Sequence, residues 1–130
     1  KFKRPPMHFQ PDLNPNLNAI TSCDADAIKV NNIPFTSSIW VTPEGAVQTL
    51  TAHSIADLTG ELFEAVSKAS PEVVLIGTGV RQHFLHPVLL APLTHARIGV
   101  ECMSSDAACR TYNVLMSEGR RVLALILLPN

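Results

Sequence analysis

Val73-Val74-Leu75-Ile76-Gly77-Thr78-Gly79 carries four apolar residues straight into a pair of glycines. An uninterrupted apolar run of this kind reads as a strand covered on both faces, the habit of parallel and mixed sheets. A second short strand, Gly99-Val100-Glu101-Cys102-Met103, ends at Ser104-Ser105-Asp106. A helix opens there, because a serine at its start can accept from its free N–H groups and Asp106 suits its positive end. Ala108, Thr111, Tyr112 and Leu115 share one face of that helix, and Gly119 provides its stop. A last strand over residues 121–128 ends before Pro129. Strand, helix, strand, helix, strand is the repeating unit of a right-handed parallel crossover.

Pro87 is placed to start the helix between the first two of these strands, with Leu89, Leu90 and Leu93 lining its buried side. Pro92 conflicts with that placement, so the helix is either kinked or starts later. Upstream, a helix is predicted over residues 60–69, where Leu62, Val66 and Ala69 recur at helical spacing and Pro71 follows. Ser54 and Asp57 have capping-box spacing before it.

Residues 18–50 read as antiparallel β structure. Ala27-Ile28-Lys29-Val30 alternates, Asn31-Asn32 suits a turn, and residues 33–41 are rich in Thr, Ile, Phe and Trp. Pro43-Glu44-Gly45 reverses the chain into residues 46–50. Trp40 is expected to cover an edge of the core. Residues 1–17 carry Pro5, Pro6, Pro11 and Pro15 and read as an extended arm. The division expected is therefore an arm over 1–17 and one α/β domain over 18–130.

The chain has 130 residues, 46% of them hydrophobic, with ten Lys and Arg against eleven Asp and Glu. That length suffices for one core, and a formal charge of −1 sets up no field to draw in nucleic acid. The longest apolar run, residues 122–128, is far short of the roughly 20 residues of a membrane span. Cys23, Cys102 and Cys109 do not make a disulfide framework, so reduced thiols and a cytoplasmic location are expected. His83 and His86 lack the Cys or acidic neighbours of a metal site, and no metal or cofactor is expected.

Open α/β sheets bind ligands beyond the carboxyl ends of their strands. If the two strands are parallel neighbours, Gly77-Thr78-Gly79 and Ser104-Ser105-Asp106 face one crevice. Arg81, Arg110 and the free N–H groups of the helix, around Ser105, could hold a carboxylate or phosphate there. The plainer reading is that the glycines only turn the chain. Gly-x-Gly without a third glycine is no dinucleotide fingerprint, and Asp106 already occupies the helix's positive end. Cys109 reads as a small side chain packed on the sheet, with a thiolate near a helix start as the alternative. Tyr112 is expected in the core with its hydroxyl on a partner, and Asn113 is expected to bond a neighbouring loop and hold the crevice shut. No nucleophile elbow or triad order is present.

The same residues resemble a known family. Residues 73–79 followed by Arg81-Gln82 resemble its first signature. Ile98-Gly99-Val100-Glu101 with Ala107-Ala108-Cys109-Arg110-Thr111-Tyr112-Asn113 resembles its second. Glu118-Gly119-Arg120-Arg121-Val122 and the run to Pro129 complete it. This is a small α/β domain family of largely unknown function, first recognised in an archaeal protein and including a mitochondrial assembly factor of respiratory complex I. The resemblance covers residues 50–129 and implies a compact three-layer α/β fold with a β meander in the first half and a small polar pocket near the matched loops. Gly77, Gly79, Arg81, Cys109, Arg110, Thr111, Tyr112 and Asn113 are the positions carried over. Ser104-Ser105-Asp106 departs from the Asp, Thr and Gly that the family often shows there. The assembly-factor relative implies a non-enzymatic protein-interaction or assembly-helper domain with a protein partner. The alternative is a small-molecule or anion-binding protein, even an enzyme, using residues 77–81 and 104–113.

Overall fold

A computed structural model describes residues 16–130. The arm expected over 1–17 therefore lies, up to residue 15, outside the described residues. The parallel unit anticipated in the C-terminal half is present. Strands β6 (Val73–Gly77) and β7 (Gly99–Met103) run parallel with Gly77 opposite Met103, and β6 also runs parallel to β8 (Val122–Ile126). On the far side of β8, the antiparallel hairpin β4 (Ser38–Val41) and β5 (Gln48–Leu50) completes a five-stranded mixed sheet of order β5-β4-β8-β6-β7. Every residue of β6 and β8 is buried. Both are internal strands of the sheet, flanked on each side and covered on each face, which is why they read as unbroken apolar runs.

Residues 18–50 divide between two sheets. Strands β1 (Ile20–Cys23), β2 (Ile28–Val30) and β3 (Ile33–Phe35) form a separate antiparallel meander, while β4 and β5 join the main sheet. Asn31 and Asn32 make the β2–β3 turn with φ of 51° and 68°, the left-handed pair that a tight hairpin needs. Local alternation marks strands but does not say which sheet each one joins.

Three helices and the meander cover the main sheet. Helix α1 (Gly60–Lys68) is capped by Thr59 and buries Phe63 and Val66, worth about 1.5–3 kcal/mol each. Helix α2 (Ala91–His95) resolves the Pro92 conflict by starting late: hydrogen-bonded turns occupy residues 86–91, and Pro92 falls in the first turn, where no N–H is needed. Helix α3 (Ser105–Ser117) takes Ser104 as its cap, and its buried stripe is Ser105, Ala108, Cys109, Tyr112 and Met116. The stripe lies beside the predicted face, with Thr111 and Leu115 half-buried at its margin. Gly119 closes α3 at φ 79°, with Arg120 N–H reaching back to Leu115 C=O at 3.1 Å.

The connections β6–α2–β7 and β7–α3–β8 step in opposite directions along the sheet. Right-handed crossovers therefore put their helices on opposite faces. The two cores follow from this. Val74, Ile76, Leu123 and Leu125 pack with Phe63, Val66 and Leu93, and Trp40 closes that side. Val73, Leu75, Val122, Ala124 and Ile126 pack with α3 and with Ile20, Cys23, Ile28 and Val30 of the meander. The result is three layers: α1 and α2, the mixed sheet, and α3 with the meander. Among the described residues, no helix is long and apolar enough to cross a membrane.

Candidate functional site

The ends of β6 and β7 lie side by side, and the start of α3 stands directly over them. The protein's own atoms fill much of the space between. A Cβ on Gly77 would sit 2.9 Å from Ser105 Cα and 3.2 Å from Ala108 Cβ, so the absence of a side chain is what lets α3 rest on the strand end. Ser105 is fully buried. Its N–H donates to Gly79 C=O at 2.8 Å, its Oγ accepts from Gly79 N–H at 2.9 Å, and its hydroxyl donates to Leu127 C=O. One side chain thereby ties the loop after β6 to the segment after β8. Gly79 has no atom within 4 Å of a notional Cβ, but its φ of 103° requires glycine.

Thr78 organises the rest of the loop. It is buried, its N–H donates to Met103 C=O at 2.8 Å, and its hydroxyl reaches Arg81 C=O at 2.6 Å while accepting from His83 N–H at 3.1 Å. Arg81 is thus fixed by its backbone, and its guanidinium stays exposed. Beyond the strand ends lies a depression of about 270 Å³ lined by His53, Ser54, Thr78, Gly79, Arg81 and His83, with Leu128 and Asn130 closing it. Asp57 sits behind His53 with its carboxylate accepting from the His53 and Ser54 N–H groups. Those two donors hold its pKa below the ordinary carboxylate value.

The eight candidate residues separate into three places. Gly77, Thr78, Gly79 and Ser105 converge, with Arg81 at their outer edge. Arg110 lies on the exposed side of α3 in an ion pair with Asp106, one turn earlier. Cys109 and Asn113 face the meander. Cys109 is buried beside the buried Cys23, and the hydrogen bond between the thiols together with burial pushes its pKa up. Asn113 bonds to β1, not to the loop after β6. Tyr112 is fully buried and donates to Asn18 C=O at 2.7 Å.

Sequence reasoning did not join His53 to Arg81. Strand β5 runs antiparallel to β4, which runs antiparallel to β8, so β5 ends at the same edge as β6. Only sheet order carries that signal. Among the described residues, no group of three or more His, Cys, Asp or Glu is placed to hold a metal ion.

Residues 20–127 match the family described as "Protein of unknown function (DUF498/DUF598)". A crystal structure of a Bordetella parapertussis protein is similar at 43% identity and a TM-score of 0.81, covering 88% of this chain and 97% of that one. A Francisella tularensis protein called "13 kDa major membrane protein" is 36% identical over 65 residues, half of this chain and 53% of its own length. The mouse protein called NADH dehydrogenase [ubiquinone] 1 alpha subcomplex assembly factor 3 is 36% identical over 75 residues, 56% of this chain and 40% of that protein. The matched stretch spans about half the length of these curated relatives, or less. With nearly its whole described length inside the family's bounds, the chain belongs to the DUF498/DUF598 family of proteins of unknown function.

Proposed function

We propose that this domain is a non-catalytic protein-interaction module that helps assemble a larger complex in a reducing, cytoplasm-like compartment. The observation that carries the reading is the way the crevice between β6, β7 and α3 is occupied. Ser105 commits its hydroxyl and its N–H to Gly79 and Leu127, and Gly77 leaves no gap beneath α3. Where open sheets receive ligands, these groups are used to join segments of the chain. The similarity to proteins called complex I assembly factors favours the same reading. Three free cysteines, two buried side by side, suit a compartment that keeps thiols reduced. Affinity capture from the native cell is expected to retain a specific protein. If nothing is retained above background, this reading fails.

One feature favours a second reading. Arg81, His53 and His83 surround the depression beyond the strand ends, and the Arg81 guanidinium has no ion pair among the described residues. A phosphate or carboxylate would seat in that depression against Thr78, Gly79 and Arg81, between His53 and His83. Saturable binding of a small anion that R81A abolishes, together with an empty capture experiment, would favour this second reading over the first.

A further inference from the structure

The segment joining β6 to α2 turns its apolar side chains in two directions. Leu85, Leu89 and Leu90 pack inward on the core shared by α1 and α2. Val80, Phe84 and Val88, four residues apart, point outward and are 65%, 84% and 74% exposed. This is an ordered loop. Thr78 Oγ1 accepts from His83 N–H, Gln82 Nε2 donates to Cys102 C=O at 3.0 Å, His86 Nδ1 accepts from Val88 N–H at 3.1 Å, and Leu89 N–H and Leu90 N–H donate to His86 and Pro87 C=O. Three apolar side chains held outward by a fixed backbone bind with little ordering cost.

Within this stretch of sequence the formal charge has one sign. Between Glu72 and Glu101 the chain contains no Asp or Glu, while Arg81, His83 and His86 are interleaved with the exposed apolar residues. The nearest carboxylate in sequence on the β7 side, Glu101, points away. Side chains alternate along a strand, and Val100 and Cys102 pack on the α1–α2 side with this loop whereas Met103 packs on the α3 side. Glu101 therefore faces the α3 side.

Resting on the interaction-module reading above, we propose that the Val80–Phe84–Val88 loop is where the partner docks. Its occupant is an amphipathic segment of a protein that sets apolar anchors among Asp and Glu residues. Phe84 would be the central anchor, since a few large apolar side chains dominate most interfaces. Arg81 and the two histidines would meet the acidic rim and set orientation and association rate.

The test is selection of displayed random peptides on the wild-type domain, with counter-selection on Phe84→Asp. Enriched peptides are expected to place Leu, Ile, Phe or Trp at i, i+3 and i+4 with Asp or Glu between. They should bind wild type at least about tenfold more tightly than F84D or V88D, and lose affinity in R81E and with added salt. Unchanged thermal unfolding of F84D shows that the fold is intact, as its exposure leads one to expect. Enrichment that survives counter-selection, or peptides without acidic residues, overturns the proposal. So does binding of phosphatidylserine vesicles by wild type and not by F84D in the absence of peptide recognition, which would make the loop a lipid contact. A change of oligomeric state in F84D would make it a contact between copies and overturns it equally. If affinity capture retains the same partner with F84D, the surface is wrong and the interaction role stands. If neither protein captures a partner, the role itself fails.

Discussion

Asn113 holds Ile20 by both halves of its backbone. Its Oδ1 accepts from Ile20 N–H at 2.9 Å and its Nδ2 donates to Ile20 C=O at 2.8 Å. One side-chain amide on α3 thus does for the outer edge of β1 what a neighbouring strand would do. Asparagine is a poor helix former because its amide competes for backbone groups. Here that competing capacity is directed across the layer, joining the meander to the helix. Asn18, two residues before Ile20, receives the Tyr112 hydroxyl and anchors the β4–β5 turn through Thr42 and Gly45 C=O. The meander is attached to the domain by polar bonds as well as by the core beneath it.

Asn113→Ala leaves both Ile20 groups without partners in a half-buried place. We expect a loss of about 2 kcal/mol, seen as a fall in Tm of about 5–10 °C. Asn113→Asp discriminates further. Its carboxylate can accept from Ile20 N–H but cannot donate to Ile20 C=O, so the loss should shrink as pH falls and the carboxyl regains a proton. A pH-independent loss in the Asp variant would remove the two-sided role.

Gly77 and Gly79 should fail for different reasons. Gly77→Ala drives a methyl to 2.9 Å from Ser105 Cα, so α3 must move, at a cost of about 2 kcal/mol. Gly79→Ala meets no atom within 4 Å, and its cost of about 1–2 kcal/mol is backbone strain at φ 103°. Amide exchange should separate them. Faster exchange in the Gly77→Ala variant should reach the start of α3 and Leu127, whereas in the Gly79→Ala variant it should stay in the loop.

What the sequence made legible follows from how local each cause is. The apolar runs of β6 and β8, the serine cap and glycine stop of α3, and the Asn31-Asn32 turn are each set by residues within a few positions, so each could be read directly. The destination of a strand is not local. Nothing near Ser38 or Gln48 says that β4 pairs with β8 while β1 to β3 form another sheet. The candidate site suffered in the same way. The convergence of Gly77, Gly79 and Ser105 was readable because two parallel strands and one helix start determine it. The turning of Cys109 and Asn113 toward the meander depends on where that second sheet lies. Helical spacing groups Cys109 with Tyr112 and with Asn113 but cannot say what they face.

Thiol reactivity should follow burial. Cys102 is half-buried while Cys23 and Cys109 are at most 1% exposed. The thiolate is the reacting form, and the pKa of Cys109 is raised by its hydrogen bond with Cys23 and by burial. Alkylation of the native protein near neutral pH should modify Cys102 first and leave the other two until denaturant is added. Fast modification of Cys109 in the folded protein would contradict its place in the core.

Acid should loosen the lower end of the sheet through Glu72. Its carboxylate accepts from Arg121 N–H at 3.1 Å and from Arg120 Nε at 3.2 Å, and these bonds hold its pKa below the ordinary 4.5. Between the two values the unfolded chain binds more protons than the folded one. The stabilisation is therefore present above about pH 4.5 and is lost as pH falls through the folded value. Glu72→Gln should flatten that part of the stability profile while changing little above about pH 6. An unaltered acid limb in E72Q would show that the pair contributes nothing.

Tyr112 should control the alkaline limit. It is the chain's single tyrosine, so phenolate absorbance reports on it alone. Burial raises its pKa well above the ordinary 10.0, because the phenolate would lose water without gaining a cation. The hydroxyl's bond to Asn18 C=O also serves the protonated form. Here the unfolded state gives up its proton first as pH rises. The stabilisation is thus complete below about pH 10 and is lost as pH climbs toward the folded value. The phenolate signal should appear together with loss of helical circular dichroism. Tyr112→Phe should remove this alkaline dependence. It should also cost about 1–2 kcal/mol at neutral pH, where Asn18 C=O loses its donor. Phenolate appearing near the ordinary pH of about 10 with the helices intact would mean that the ring is open to water, and the packing of α3 against the meander would then need a different account.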